Sequence, residues 1–496
     1  MKDVVSACRG GTWLGTSTAD EFMRSRITRL LWPVLDAPIP VRRRPDGSPD
    51  VATIAPERPP LELSGRDYAI SLLRLAAEIE HGLMVQYLFA AYSLDPPGAP
   101  AAQRPMVRRW QETILGVAKE EMAHLVTVEN LLTALGGPLQ FNREDFPHSN
   151  VLYATGFRLR PLDPPSLATY VVAESPETWT HRLAQQIKDQ AGGAVNRVGR
   201  LYEELMDVVG DPALVPDSTF DAGSVPFQAS WDEWSRGHRR IAAGQQGTDA
   251  RPITELVIST VDSRESALAA LAEVGEQGEG FEQPEDQDAS HFERFLAIYQ
   301  ELDALSEADR KAVVRDVATN PTTDLDGPDV GPEPDDASMT SPIANPQARL
   351  WAHLFNVRYR KLLVSLSHAF ELAEERADAA APGPRGSLIH RAFGEMYNLR
   401  AIAGLLVALP LDHDDPGGAR AGPPFQMPHT LMLPNDEDDR WRVHLDLLDA
   451  SATLAERVRA LADAGPAQDY LNALVQSDGI ERDQVLTLIA AGGPTR

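Results

Sequence analysis

The sequence predicts an all-α protein: a four-helix bundle with a long crossover between helix pairs and additional helices after it. Three observations predict this. Apolar residues recur at a period near 3.6 in nearly every long segment, and no sustained alternating run appears. Glycine and proline clusters such as Asp95-Pro-Pro-Gly98 and Gly136-Gly-Pro138 punctuate the segments where helices should stop. Carboxylates and histidines also recur inside apolar helical stripes, where they are costly unless paired or bound to a metal.

Residues 1–60 read as an arm, broken by prolines from Pro38 to Pro60, with one short helix over Glu21–Leu35. Residues 61–305 read as the bundle. The first long helix starts at Gly65 and runs to Ser93, about 40 Å if continuous. The second starts near Pro105, a favoured first-turn residue, and stops at Gly136. Residues 138–252 form the crossover insertion, with helices expected over 165–174, 195–209 and 227–240. A third long pattern runs from Ile253 to Val274 and closes on Glu276-Gln-Gly-Glu-Gly280. A fourth follows a short acidic loop from Asp288 through His291, Phe295, Tyr299 and Leu302. Residues 306–347 are rich in Asp, Pro and Thr and read as a linker. Residues 348–496 read as a C-terminal helical region packing on the bundle, with helices over 351–375, 391–409, 440–461 and 467–490.

Composition narrows the function classes. Against 46 Lys and Arg stand 73 Asp and Glu, a formal net charge of −27, which disfavours nucleic acid and anionic membranes as partners. The single cysteine, Cys8, leaves no disulfide framework and no Cys-ligated metal within one chain, so a metal would be held by His and carboxylates. The run from Ala401 to Leu411 is too short to span a bilayer, and the N-terminal residues carry no apolar signal-peptide run. A cytoplasmic location is the expectation, and the sequence leaves a homodimer open.

The chemistry-bearing residues fall in order along the four helices. Glu80 sits in a helix that is apolar on nearly every side. Glu121 and His124 lie in the stripe Trp110, Ile114, Val117, Leu125 and Val128. Glu276 or Glu279 ends the third helix, and Asp288 with His291 opens the fourth. One carboxylate, a carboxylate-x-x-His pair, one carboxylate and a second such pair make the ligand set of a carboxylate-bridged dimetal site. Positions i and i+3 share a helix face, so one turn offers an oxygen and a nitrogen to neighbouring ions. Hard oxygens with imidazole suit two irons, and manganese or zinc also accept the set. Glu121 is the expected bridge. Glu78 and His81 form a rival i, i+3 pair whose blander reading is a salt bridge, and loop solvation competes for Asp288. Tyr87 and Tyr92 lie near the proposed metals, and Tyr87 is a candidate to tune the site or carry a radical. His353 and His368 read as core or capping histidines, and Asp412-His-Asp-Asp415 as an acidic turn.

Ala77-Glu-Ile-Glu-His81 with Gln86-Tyr-Leu-Phe-Ala-Ala-Tyr-Ser-Leu94, Glu120-Glu-Met-Ala-His-Leu125, Asn130-Leu-Leu-Thr-Ala-Leu-Gly-Gly137, Glu276-Gln-Gly-Glu-Gly280 and Ser290-His-Phe-Glu-Arg-Phe295 resemble iminophenyl-pyruvate dimer synthase-type members of the ferritin-like superfamily. The resemblance covers about residues 65–305. That family includes the ferritin-like part of the violacein and rebeccamycin enzymes, which couple two amino-acid-derived imines. It implies a ferritin-like bundle and an oxidative role in secondary metabolism. The expectation is a non-haem, diiron-type oxidase or oxygenase that uses dioxygen on a small amine, imine or amino-acid-derived metabolite. Two rivals stand beside it: an imine-coupling enzyme without metal redox cycling, and a degenerate scaffold that binds a metabolite or partner.

Overall fold

The computed structural model describes residues 42–43, 49–50, 63–147, 157–176, 179, 181–191, 198–234, 258–279, 289–325, 340–374, 383–427, 431–461 and 465–491. The described residues are overwhelmingly helical. The strands among them are two residues long: β1 (Arg42–Arg43) pairs antiparallel with β2 (Pro49–Asp50), and β3 (Pro321–Thr322) parallel with β4 (Ser341–Pro342).

Helix α1 (Gly65–Ser93) opens on Ser64, whose hydroxyl accepts from the Asp67 amide, and is buried along almost its whole length. Helix α2 (Arg104–Ala134) has Pro105 in its first turn and ends before Gly136, whose φ of 66° suits a residue without Cβ. The two lie side by side, and Arg66 donates to the Leu135 and Gly136 carbonyls, covering orphan acceptors at the α2 end.

The crossover supplies α3 (Pro164–Ala173), opened by a reciprocal Asp163–Ser166 cap, then α4 (Ala184–Gln190) and α5 (Val198–Gly210). Helix α6 (Arg264–Glu279) packs on α5, and α7 (His291–Asp303) packs on α3. Helix α6 starts later than the apolar pattern suggests. Ser266 Oγ accepts from the Asp262 and Ser263 amides, and Gln228 Oε1 from the Val261 amide, so residues 258–263 find partners outside a helix. The expected arm helix over 21–35 and residues 235–240 of the one over 227–240 lie outside the described residues, as does Asp288.

Part of the stretch read as a linker packs onto the bundle. It forms α8 (Glu307–Val313), and Val313, Val317 and Asn320 are buried. Asn320 takes a left-handed φ of 46° and exchanges hydrogen bonds with Leu159 through its own amide and its side-chain carbonyl. Its turn-forming composition serves a fixed bend against the crossover.

Helices α9 (Pro346–Phe370), α10 (Pro384–Leu406), α11 (Glu437–Leu461) and α12 (Pro466–Ala491) form the C-terminal layer. Arg358 bridges Glu395 and Asp478, and Lys361 bridges Glu395 and Glu481, all buried. With Arg391 on Glu481, this ionic network of three cations and three carboxylates joins α9, α10 and α12. His368 is buried against Trp441 and His444, as a core histidine. The layer meets α1 through His81, which hydrogen-bonds Tyr359 of α9.

Candidate metal centre

Five donor side chains converge in the bundle. Glu80 comes from the middle of α1, Glu121 and His124 from successive turns of α2, Glu174 from the residue that caps α3, and His291 from the first turn of α7. All five are buried. They form two overlapping triads, Glu80–Glu121–His124 and Glu121–Glu174–His291, each with donor atoms within 4.8 Å of one another. Glu121 belongs to both. Its Oε2 lies 3.2 Å from His124 Nδ1 and its Oε1 2.9 Å from His291 Nδ1, so each oxygen faces one histidine. Glu80 Oε2 lies 3.4 Å from His124 Nδ1, and Glu174 Oε2 3.7 Å from His291 Nδ1.

The outward nitrogens are held as well. His124 Nε2 meets Gln277 Oε1 at 2.8 Å, and His291 Nε2 meets Glu120 Oε2 at 2.9 Å, while Arg294 brackets the Glu120 carboxylate. The two rings stack with centroids 5.5 Å apart. Two tyrosines complete the shell. Tyr202 of α5 donates to Glu80 Oε1 at 2.5 Å, and Tyr87 donates to Glu174 Oε1.

The electrostatics show what the pocket favours. Burial, together with the charge of Glu121, pushes the Glu80 carboxyl up to about 8. Burial would raise Glu121 too, but His291 and His124 hold it well below the usual carboxylate range. Burial opposes protonation of His124, yet Glu121 and Glu80 lift it to about 10; His291 rises well above its ordinary value for the same kind of reason. Protons therefore sit where the donors converge.

The donor set fits divalent metal. Glu121 Oε1 and His291 Nδ1 are 2.9 Å apart, close enough to attract, but they lie off the hydrogen-bonding angle, and neither has another hydrogen-bond partner among the described residues. Two buried polar atoms left in this way are expensive in a protein core and natural around a shared ion. Both histidines face the carboxylates through Nδ1 with Nε2 held from behind, the usual outer arrangement of metal-ligating imidazoles. A small cavity opens beside the donors toward α5 and α6, bordered by Leu83, Val198, Gly199, Val274, Gly275 and Gly278.

Of the residues expected from sequence, the structure brings Glu80, Glu121, His124 and His291 together. Glu276 is exposed on α6, because the neighbouring position, Gln277, is the one that turns toward His124. The side chain of Glu279 lies outside the described residues. Glu78 accepts the Glu144 amide, and His81 faces Tyr359, so this pair serves other contacts. Tyr87 packs on Tyr170 and Phe295 with its hydroxyl on Glu174. Glu174 is the donor the sequence reading missed. Its signal was a lone carboxylate ending the apolar run Tyr170-Val-Val-Ala173.

Fold and site together define a ferritin-like helical bundle with a candidate dinuclear carboxylate–histidine centre. Residues 73–300 match the Ferritin-like family model, and this part of the chain is ferritin-like. The chain is 27% identical over 403 residues to "Dichlorochromopyrrolate synthase" of Lentzea aerocolonigenes, covering 74% of this chain and 36% of that protein. It is 26% identical over 281 residues to "2-imino-3-(indol-3-yl)propanoate dimerase" of Chromobacterium violaceum, covering 51% of this chain and 25% of the relative. The matches thus span about a third or less of these relatives' lengths. A solved ferritin-like protein from Caulobacter vibrioides shares 17% identity over 69% of this chain and 98% of its own, at a TM-score of 0.35. Among the described residues no helix is long and apolar enough to cross a membrane.

Proposed function

We propose that this chain is a dimetal, diiron-type oxidase or oxygenase acting on a small imine or other amino-acid-derived metabolite in secondary metabolism. The observation that carries the reading is the convergence of five buried donors on two adjoining points, with Glu121 shared and two donor atoms free of hydrogen bonds. Glu80, Glu121 and His124 would hold one ion, and Glu121, Glu174 and His291 the other. Iron bound there would supply activation of dioxygen. The protein's own part is positional. Tyr202 and Tyr87 fix the outer oxygens of Glu80 and Glu174, Gln277 and Glu120 fix the imidazole planes, and Leu83, Val198 and Val274 keep the cavity wall apolar. The glycines of that wall keep side chains away from the ligands, leaving a cavity of about 10 Å³ beside them, on the scale of one water molecule. The name of the Chromobacterium violaceum relative favours a 2-imino acid as substrate class. It also supports a second reading, imine coupling without metal redox cycling.

The test is iron-loaded chain presented with 2-imino-3-(indol-3-yl)propanoate and smaller 2-imino acids, with dioxygen uptake and bound iron followed together. The oxidase reading expects uptake that needs iron and disappears in Glu121→Ala and His124→Ala along with the metal. Imine consumption with neither dioxygen uptake nor a metal requirement would move the function to the second reading.

A further inference from the structure

The two halves share the same kinds of ligand and differ in how their histidines are held: His124 Nδ1 hydrogen-bonds Glu121 Oε2, His291 Nδ1 pairs with Glu121 Oε1 without a well-angled hydrogen bond, and the groups behind the two rings differ. In each half one terminal glutamate receives a tyrosine hydroxyl, Tyr202 on Glu80 and Tyr87 on Glu174. In each half one imidazole faces Glu121 through Nδ1. The acceptors at Nε2 differ in kind: a neutral carboxamide, Gln277, stands behind His124, and a carboxylate, Glu120, behind His291.

We infer that the halves hold metal with unequal affinity, that Glu120 and Gln277 set the difference, and that the Glu121–Glu174–His291 half fills first. The inference rests on the dimetal reading above. A hydrogen bond to a charged acceptor is roughly twice as strong as one to a neutral acceptor, and it gives the imidazole more anionic character, hence a better donor nitrogen. Arg294 binds the same carboxylate, so the Glu120–Arg294 pair is neutral as seen from a distance. The imidazole, however, touches the Glu120 oxygen itself, 2.9 Å away. The contrast with Gln277 is therefore local and survives the arginine. Glu120 and Gln277 act as positioning residues through their histidines. Exchanging such outer partners typically changes metal affinity 10- to 100-fold.

The experiment is Mn(II) titration of the metal-stripped full chain, followed by calorimetry and by loss of the free-ion EPR signal. Wild type should bind in two separated steps. His124→Ala, which keeps the His291 half, should bind one Mn(II) at least about tenfold tighter than His291→Ala, which keeps the other. Adding Glu120→Gln should weaken the His124→Ala background about tenfold or more and leave His291→Ala unchanged, while Gln277→Glu should tighten only the latter. A packing role for Glu120 would shift both backgrounds alike, and that result overturns the inference, as do two equal steps in wild type. Should the histidine variants not fold, the two-step wild-type isotherm and its collapse toward one step in Glu120→Gln decide the question. No Mn(II) uptake at all would instead defeat the dimetal reading on which the inference stands.

Discussion

Loading the centre with metal should expel an unusual number of protons. In the metal-free protein Glu80 titrates at about 8, His124 at about 10, and His291 well above its ordinary value. At pH 7 all three are protonated, and ligation requires the imidazoles neutral at the bound nitrogen and the carboxyl ionised, so about three protons should leave per centre. Unperturbed groups would behave differently. Each histidine would then release about a quarter of a proton at pH 7 and the glutamate almost none. The assay is calorimetric titration with Mn(II) in two buffers of different ionisation enthalpy, the proton count coming from the difference in heat. Glu80→Gln should lower the count by about one. A release below about one proton per centre would refute the argument, because the carboxylates would then not be trapping protons where the metals are proposed to sit.

The same groups set the stability of the metal-free chain. Glu80 is raised from 4.5 to about 8, so burying its ionised form penalises folding increasingly as pH climbs through that window; His124, raised from 6.5 to about 10, contributes fully below 6.5 and loses its contribution by 10. Melting temperature should fall from pH 6 to 9, and less steeply in Glu80→Gln. Arg358→Leu should cost about 3–5 kcal/mol in urea unfolding, since it strands the buried carboxylate Asp478 and leaves Glu395 to Lys361 alone. Gly82→Ala should destabilise by about 1–3 kcal/mol, because its Cβ would lie 2.2 Å from the Phe157 ring and force that aromatic to move.

The bundle and four of the five donors were legible in the sequence because one physical signal marks them. Glu80, Glu121 and His124 interrupt stretches that are otherwise apolar at helical spacing, and His291 heads a helix whose apolar face continues through Phe295 and Tyr299. Glu174 carries no such mark. It caps a ten-residue helix, past the last apolar turn, where solvated carboxylates are common. Helix order points to Glu276 or Glu279 on α6; adjacent helical residues lie about 100° apart, and there Gln277 takes the inward direction in place of Glu276, while the Glu279 side chain lies outside the described residues. Gln277 and Glu120 were hidden for a different reason. Their roles depend on which ring nitrogen faces outward, and no linear pattern encodes that.

Five candidate ligating positions drawn from 80 to 291 on the chain have a consequence for how damage would present itself. Such a centre does not exist in the unfolded protein, so ion binding would be thermodynamically tied to assembly of α1, α2, α3 and α7. Ions at about a hundredfold over their dissociation constant would add about 2.7 kcal/mol to the folded state. By the same linkage, a weakened contact far from the cluster, in the C-terminal ionic network for example, would lower occupancy at a fixed ion concentration once the unfolded fraction became appreciable. Apparent metal deficiency in a variant would then report a folding defect before any ligand had been touched.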